Sequence, residues 1–310
     1  MMTHTSVLYL TTVLIWGSTF LAIRFQLGEV PGVVSIAYRF ALAALILLVW
    51  CRLTRRNMGF RLGQHLWMMA QGLMLFGFNY MLVYQAAANL TSGLIAVVFS
   101  TIIVMNIFNN ALLFGRRPAA SVVTGAVFGL AGISLVFLPE ITRLESDSAT
   151  ATAMGLSLAG TFISSIGNMI SARNQSRQLP VVQSNAFGMA YGALALAAIA
   201  WFQDKPFVYE ASWSYTGSLL YLALFGSVLG FGSFLTLLGR IGAERAAYCM
   251  VLFPIVALGL STAFEGYHWS AEALAGVFLV LLGNVLVITP KARLQGLLGR
   301  FYLPLRRRLD

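Results

Sequence analysis

Charge is scarce in this sequence. Only 10% of its 310 residues are Asp, Glu, Lys or Arg, against roughly 25% in an ordinary soluble domain. A surface wetted on all sides cannot be built from so few ions, which argues against a soluble globular enzyme. Cysteine and histidine are scarcer still. Cys51 and Cys249 lie far apart, and with His4, His65 and His268 they make no Cys/His metal cluster, so the two thiols read as small apolar residues. What is abundant is apolar: 59% of the chain is hydrophobic and the mean hydropathy is +0.81, which excludes disorder. The formal net charge is +10, with a pI near 10.1. That surplus fits either a nucleic-acid binder or the Lys/Arg bias of a polytopic membrane protein, and the placement of the charges decides.

A bilayer core about 30 Å thick needs roughly 20 apolar residues per helix. Ten stretches satisfy that window: Ser6–Phe25, Gly32–Cys51, Trp67–Ala87, Thr91–Phe114, Ala120–Leu138, Thr152–Ser171, Val181–Phe202, Trp213–Leu238, Ala243–Phe264 and Ala271–Thr289. Polar clusters, Gly and Pro31, Pro118, Pro139, Pro180, Pro206 and Pro290 separate them, leaving no room for an extramembrane domain. The first stretch is longer than a signal-peptide core and no basic residue precedes it, so it is expected to be a retained span.

With this division, sixteen of the twenty basic residues fall on one side. They include Arg52, Arg55, Arg56, Arg61, Arg116, Arg117, Arg173, Arg177, Arg240, Arg245 and six in the tail from Lys291. Glu29, Glu140, Glu145, Asp147, Asp204, Glu210, Glu265 and Glu272 fall on the other. The positive-inside rule then places both termini in the cytoplasm and removes the nucleic-acid reading.

An internal repeat is legible. Gly125, Gly132 and Pro139 recur 151 residues later as Gly276, Gly283 and Pro290, and Gly17 matches Gly167 at nearly the same offset. Five spans per half is an odd number, so the second copy enters the membrane from the opposite side, as in secondary transporters that bind substrate at the repeat interface. The expected divisions are 1–139 and 140–290 for the two five-helix repeats and 291–310 for a basic cytoplasmic tail, amphipathic and lying on anionic lipid.

Several short sequences carry a family resemblance: Trp16-Gly17-Ser18-Thr19-Phe20, Tyr38-Arg39-Phe40, Ala243-Glu244-Arg245-Ala246-Ala247, Leu252-Phe253-Pro254 and Phe264-Glu265-Gly266-Tyr267-His268-Trp269. On these the chain resembles the EamA family of the drug/metabolite transporter superfamily, over essentially Val7 to Pro290. It departs at Ile102, where the first copy often has Pro, and at Arg116, where an acid is common. These departures count against identical roles for the two copies. The resemblance implies an all-α integral membrane protein of ten helices around a central cavity lined by spans 1, 3, 4, 6, 8 and 9. It also implies small-metabolite transport in a bacterial inner membrane, with amino-acid export the best-represented activity.

All ten acids lie in loops or at span ends. Intramembrane carboxylates are the usual proton relays and counter-ions for cationic cargo. The multidrug relatives resemble this chain in fold but carry a Glu in their first helix, where Trp16, Ser18 and Thr19 stand here. An intramembrane enzyme is excluded on the same ground, because no His/Glu set, Asp pair or Ser with a base shares one depth. Aromatic and neutral polar side chains occupy the middle of the spans instead. The candidate cavity residues are Trp16, Ser18, Thr19, Asn79, Tyr80, Tyr84, Phe99, Ser100, Ser164, Asn168, Ser227, Phe231, Tyr248 and Phe253. Such groups suit a neutral or zwitterionic molecule; they also serve as hydrogen-bonding links between helices.

Arg39 is the one basic residue well inside a span, roughly 12 Å deep at 1.5 Å per residue. Snorkelling outward, pairing with Glu265 or Glu29, clamping carbonyls and contacting a substrate anion are its open readings. A single interior cation counts against phosphate-ester cargo. Gly226, Gly230 and Pro254 are candidate hinge positions in spans 8 and 9. The function expected is export of small neutral or zwitterionic metabolites by alternating access, aromatic or other apolar amino acids first. Sugars, nucleosides or a channel-like facilitator are the alternatives. No cofactor or metal is expected, the partners are cargo and lipid, and the chain is read as a monomer with a dimer open.

Overall fold

The computed structural model describes residues 2–114, 120–143, 148–241, 246 and 249–288. Arg116, Arg117, Glu145, Asp147, Ala243-Glu244-Arg245 and the tail 291–310 lie outside the described residues, within which no strand occurs.

The helices are α1 (Met2–Arg24), α2 (Gly32–Leu53), α3 (Leu62–Ala87), α4 (Ser92–Ser100, resumed as Ile102–Phe114) and α5 (Ala120–Arg143). They continue as α6 (Ser148–Ser176), α7 (Val181–Phe202), α8 (Trp213–Arg240), α9 (Cys249–Phe264) and α10 (Ala271–Ile288). Among the described residues seven helices, α1–α4 and α6–α8, are long and apolar enough to cross a membrane. Shorter apolar stretches, Val123–Val136, Leu252–Phe264 and Ala271–Gly283, lie in α5, α9 and α10.

Local chemistry sets the ends. Pro31 and Pro180 are the N-caps of α2 and α7, where a missing N–H costs nothing. Thr91 and Ser212 cap α4 and α8 through their hydroxyl oxygens. Arg55, Gln178 and Asp204 take positive φ just past α2, α6 and α7. The next N–H in each case closes the helix with a six-residue bond, from Arg56 to Cys51, Leu179 to Asn174 and Lys205 to Ala200. These spans therefore stop where the chain must return into solvent or headgroups.

Two features were not read from the sequence. First, α3 and α8 are not α-helical throughout: Leu73–Phe78 and Leu222–Phe231 are π-helical. Both begin with Leu-X-Leu-Phe-Gly, at Leu73–Gly77 and Leu222–Gly226, an offset of 149. In α8 the Ser227 hydroxyl donates to the Leu222 carbonyl at 2.9 Å, satisfying an acceptor within the widened turn. Second, α4 breaks at Thr101, where Ser100 and Thr101 turn their hydroxyls back onto the Val97 and Val98 carbonyls at 2.7 and 2.6 Å. Such back-bonds compete with the helix's own donors.

The helices pack in matched pairs: α2 on α7, α4 on α9 and α5 on α10, while α1 lies against α8 and α9, and α3 and α4 against α6. Small residues permit the closest approaches. A Cβ at Gly132 would lie 2.6 Å from the Gly276 carbonyl oxygen, and one at Gly283 would lie 2.7 Å from that of Gly125. The repeated glycines are thus each other's partners across the α5–α10 seam. Gly188 and Gly192 of α7 meet Gly72 of α3 within the same chain. Large apolar side chains such as Leu14, Leu45, Leu194 and Phe278 point outward, as a lipid-facing surface requires. Cys51 and Cys249 are buried free thiols.

Candidate functional site

A cavity forms where α1, α3, α4, α6, α8 and α9 converge, the same six helices that the resemblance implies. Helical spacing puts its wall on single faces. Trp16, Thr19, Phe20 and Ile23 recur at three- and four-residue steps in α1, and Leu75, Asn79 and Val83 at four-residue steps in α3. Tyr80, Phe99, Ser164, Asn168, Phe231 and Phe253, candidates from the sequence, also line it. Phe20, Phe99 and Phe253 meet with ring centroids 5.8 to 6.3 Å apart. Trp16 stands edge-on to Phe231 at 4.9 Å, and its indole N–H donates to the Gly226 carbonyl at 3.3 Å.

The polar lining is neutral. Asn79 Nδ2 donates to Ser164 Oγ at 2.7 Å, while Asn79 Oδ1 is buried and accepts nothing. Asn168 Nδ2 reaches Asn106 Oδ1 at 3.5 Å, and Asn109 Nδ2 donates to Ser165 Oγ at 2.8 Å deeper in the α4–α6 contact. The space between atoms is about 530 Å³, yet only about 30 Å³ can hold a water centre. That is room for only a few water molecules, so this conformation is contracted and a metabolite requires the wall to move.

Other predicted residues sit off the cavity. Ser18 faces α8, sharing a 2.6 Å hydrogen bond with the Tyr221 hydroxyl, because one residue's rotation from Thr19 turns it away. Ser100 is spent on its own helix. Tyr84 and Ser227 lie behind the wall around Arg39. Gly226 and Gly230 admit α1: a Cβ at 226 would lie 2.9 Å from Thr19 Cγ2, and one at 230 would lie 2.6 Å from Trp16 Nε1. Pro254 lies within α9, directly after cavity-lining Phe253. Tyr248 lies outside the described residues. Phe20, Ile23, Leu75, Val83, Ile102 and Met250 were missed as lining; the helical period from Trp16 was the available signal for Phe20 and Ile23.

Arg39 does not snorkel, and among the described residues it pairs with no acid. It is fully buried; its Nε donates to Ser227 Oγ at 3.0 Å and its Nη2 to Tyr80 Oη at 3.3 Å. The guanidinium carbon lies 4.4 Å from the Tyr80 ring centre and 5.0 Å from that of Phe40. Glu265, one of the two candidate acids, is engaged elsewhere, with Arg24 Nε at 3.3 Å and the Ser92 N–H at 3.0 Å, and it also accepts from the Ser92 hydroxyl. This carboxylate ties the ends of α1, α4 and α9 together at one end of the bundle. Glu265→Ala is expected to cost roughly 1–3 kcal/mol, by stranding the Ser92 N–H. Thermal unfolding in detergent measures it, and an unchanged midpoint would show the tie to be dispensable.

The EamA-like transporter family matches residues 5–138 and 151–289, so the chain belongs to that family, within the drug/metabolite transporter superfamily. It is a multi-pass membrane transporter. It is 25% identical to Protein PagO of Salmonella typhimurium (strain LT2), covering 93% of this chain and 96% of that one. It is 26% identical to the inner membrane transporter YedA of Escherichia coli K12, over 90% and 88%. A Salmonella typhimurium protein named a probable amino-acid metabolite efflux pump is 25% identical, over 89% and 92%. A solved crystal structure, 16% identical, superposes with a TM-score of 0.67 over 91% of this chain and 95% of its own, a likeness of fold.

Proposed function

We propose that this protein exports small neutral or zwitterionic metabolites, aromatic or other apolar amino acids first, by alternating access across a bacterial inner membrane. The observation that carries the reading is the cavity wall: aromatic rings, amides and hydroxyls, with no carboxylate among the described residues that line it. Such a wall can surround an apolar side chain and hydrogen-bond a compact polar head. The efflux-pump name of one relative agrees with it.

Ten spans in two inverted repeats, 1–139 and 140–290, supply the alternating element. Three observations support this. The family matches twice, and Leu-X-Leu-Phe-Gly opens a π segment in α3 and again in α8. Gly132 meets Gly276 while Gly125 meets Gly283, the reciprocal contact that a two-fold axis produces. In this arrangement α5, α9 and α10 also cross, both termini are cytoplasmic, 291–310 is a basic tail on the inner leaflet, and Gly226, Gly230 and Pro254 lie where α8 and α9 must move. The chain works as a monomer, without cofactor or metal.

Proteoliposomes containing the purified protein should move labelled neutral amino acids with saturation, and failure across a broad panel by folded protein overturns the reading. Sugars or nucleosides moving in preference would establish the alternative cargo, and flux without saturation a channel. With no carboxylate in the cavity wall, the flux should be unchanged when the proton gradient is collapsed; strict dependence on the gradient would refute the uncoupled mechanism.

A further inference from the structure

Arg39 is a guanidinium buried in the bundle with no carboxylate beside it among the described residues. A guanidinium is a permanent cation, and a buried charge is normally paired or fully hydrogen-bonded. Here the bonding is incomplete. Nη1 is buried and donates to nothing, and the bond from Nη2 to Tyr80 is long at 3.3 Å. Tyr84 Oη, buried beside the same guanidinium, is close enough to feel it but makes no hydrogen bond of normal geometry. An unused Nη1 donor and a net positive charge are therefore gathered at one point, with no anionic acceptor among the described residues to receive them.

Tyr80 is the partition: one part of this residue lines the cavity, and its hydroxyl and ring touch Arg39. On the cavity side of that partition the adjacent residue, Asn79, presents the opposite deficiency, a buried carbonyl oxygen with no donor. An unsatisfied donor with a positive charge, next to an unsatisfied neutral acceptor, is the complement of a carboxylate next to an ammonium.

We infer that Arg39, with Tyr84, is a carboxylate subsite opening behind Tyr80, that Asn79 Oδ1 receives the ammonium, and that the cargo is recognised as an α-amino acid through both ends. The carboxylate takes the place of the Tyr80 hydroxyl on Nη2 and adds Nη1, in the two-pronged geometry that suits a guanidinium. Swinging Tyr80 aside also supplies volume that the contracted cavity lacks. The cargo's side chain then lies against Phe20, Phe99 and Phe253. This inference rests on the proposed amino-acid transport and adds that the free carboxylate is obligatory, which sets sugars, nucleosides and simple amines outside the cargo.

The test is a binding series on purified full-length protein in detergent, by calorimetry, with L-phenylalanine, its amide, its methyl ester and phenethylamine, and a parallel leucine series. The free acids should bind at least ten-fold more tightly than their amides and esters, and phenethylamine should not compete. In Arg39→Gln that preference should vanish, and in Tyr84→Phe it should shrink while the amide's affinity stays the same. Should Arg39→Gln fail to fold, the wild-type series and Tyr84→Phe still decide. Equal binding of acid, amide and ester overturns this subsite alone. No binding by any amino acid overturns both the subsite and the transport reading beneath it.

Discussion

Gly72→Ala is expected to prevent accumulation of folded protein. A Cβ on residue 72 would lie 2.0 Å from the Gly188 carbonyl oxygen and 2.6 Å from its carbonyl carbon. Both obstacles are backbone, so no rotamer change relieves them, and α3 and α7 must separate. Overpacking a core ordinarily costs about 1–3 kcal/mol where side chains can adjust; with none to adjust, the cost should exceed that range. Gly129→Ala is the control: nothing lies within 4 Å of its Cβ position, and Ala favours a helix over Gly by about 1 kcal/mol. Size-exclusion profiles and thermal unfolding of the two variants check the pair. Folded Gly72→Ala with an unshifted midpoint would mean that the α3–α7 contact has slack.

Asn79→Leu is expected to cut amino-acid transport by about ten-fold or more while the protein remains folded. Leu keeps the branched skeleton of Asn, and its bulkier methyl groups can extend into the cavity that residue 79 lines, so packing between α3 and α6 survives. The lost contacts are the 2.7 Å hydrogen bond to Ser164 Oγ and the free amide oxygen beside the cavity. A hydrogen bond to a charged group contributes about 1.5–3 kcal/mol, and 1.4 kcal/mol corresponds to a factor of ten. Ser164 lies in mid-helix, where a hydroxyl can turn back to its own backbone, so the substitution strands little. Initial rates in proteoliposomes, normalised to folded protein, measure the effect. Unaltered transport would remove Asn79 from the site and leave it as a link between α3 and α6.

The aromatic part of the site was the most legible in the sequence. Trp16, Phe99, Phe231 and Phe253 fall near the middle of apolar runs, and helical spacing keeps Trp16 and Phe20 on one face. The neutral polar residues were legible as a class and not as individuals. Thr19 lines the cavity and Ser18 does not, and nothing in Ser-Thr itself tells which of two adjacent hydroxyls faces inward. A rotation of 100° per residue separates them, and the absolute orientation of a helix is set by its neighbours. Arg39 was visible as an anomaly, yet the sequence left its partner open: Glu265, one of the two acids within consideration, is held instead by Arg24 and by the Ser92 N–H and hydroxyl.

The sequence alone determined that this is an α-helical membrane protein and roughly where its helices begin and end. Those properties follow from transfer free energies of single residues and from the chirality and donors of the local backbone, and they need no distant partner. The tertiary structure decided the rest. It set Arg39 against Ser227, 188 residues away, and Asn79 against Ser164, 85 residues away. It turned the matching Leu-X-Leu-Phe-Gly runs into π-helical segments and left the cavity too small for cargo in this conformation. Each of these depends on what another helix offers at one depth, a property of the packed bundle that no stretch of sequence contains.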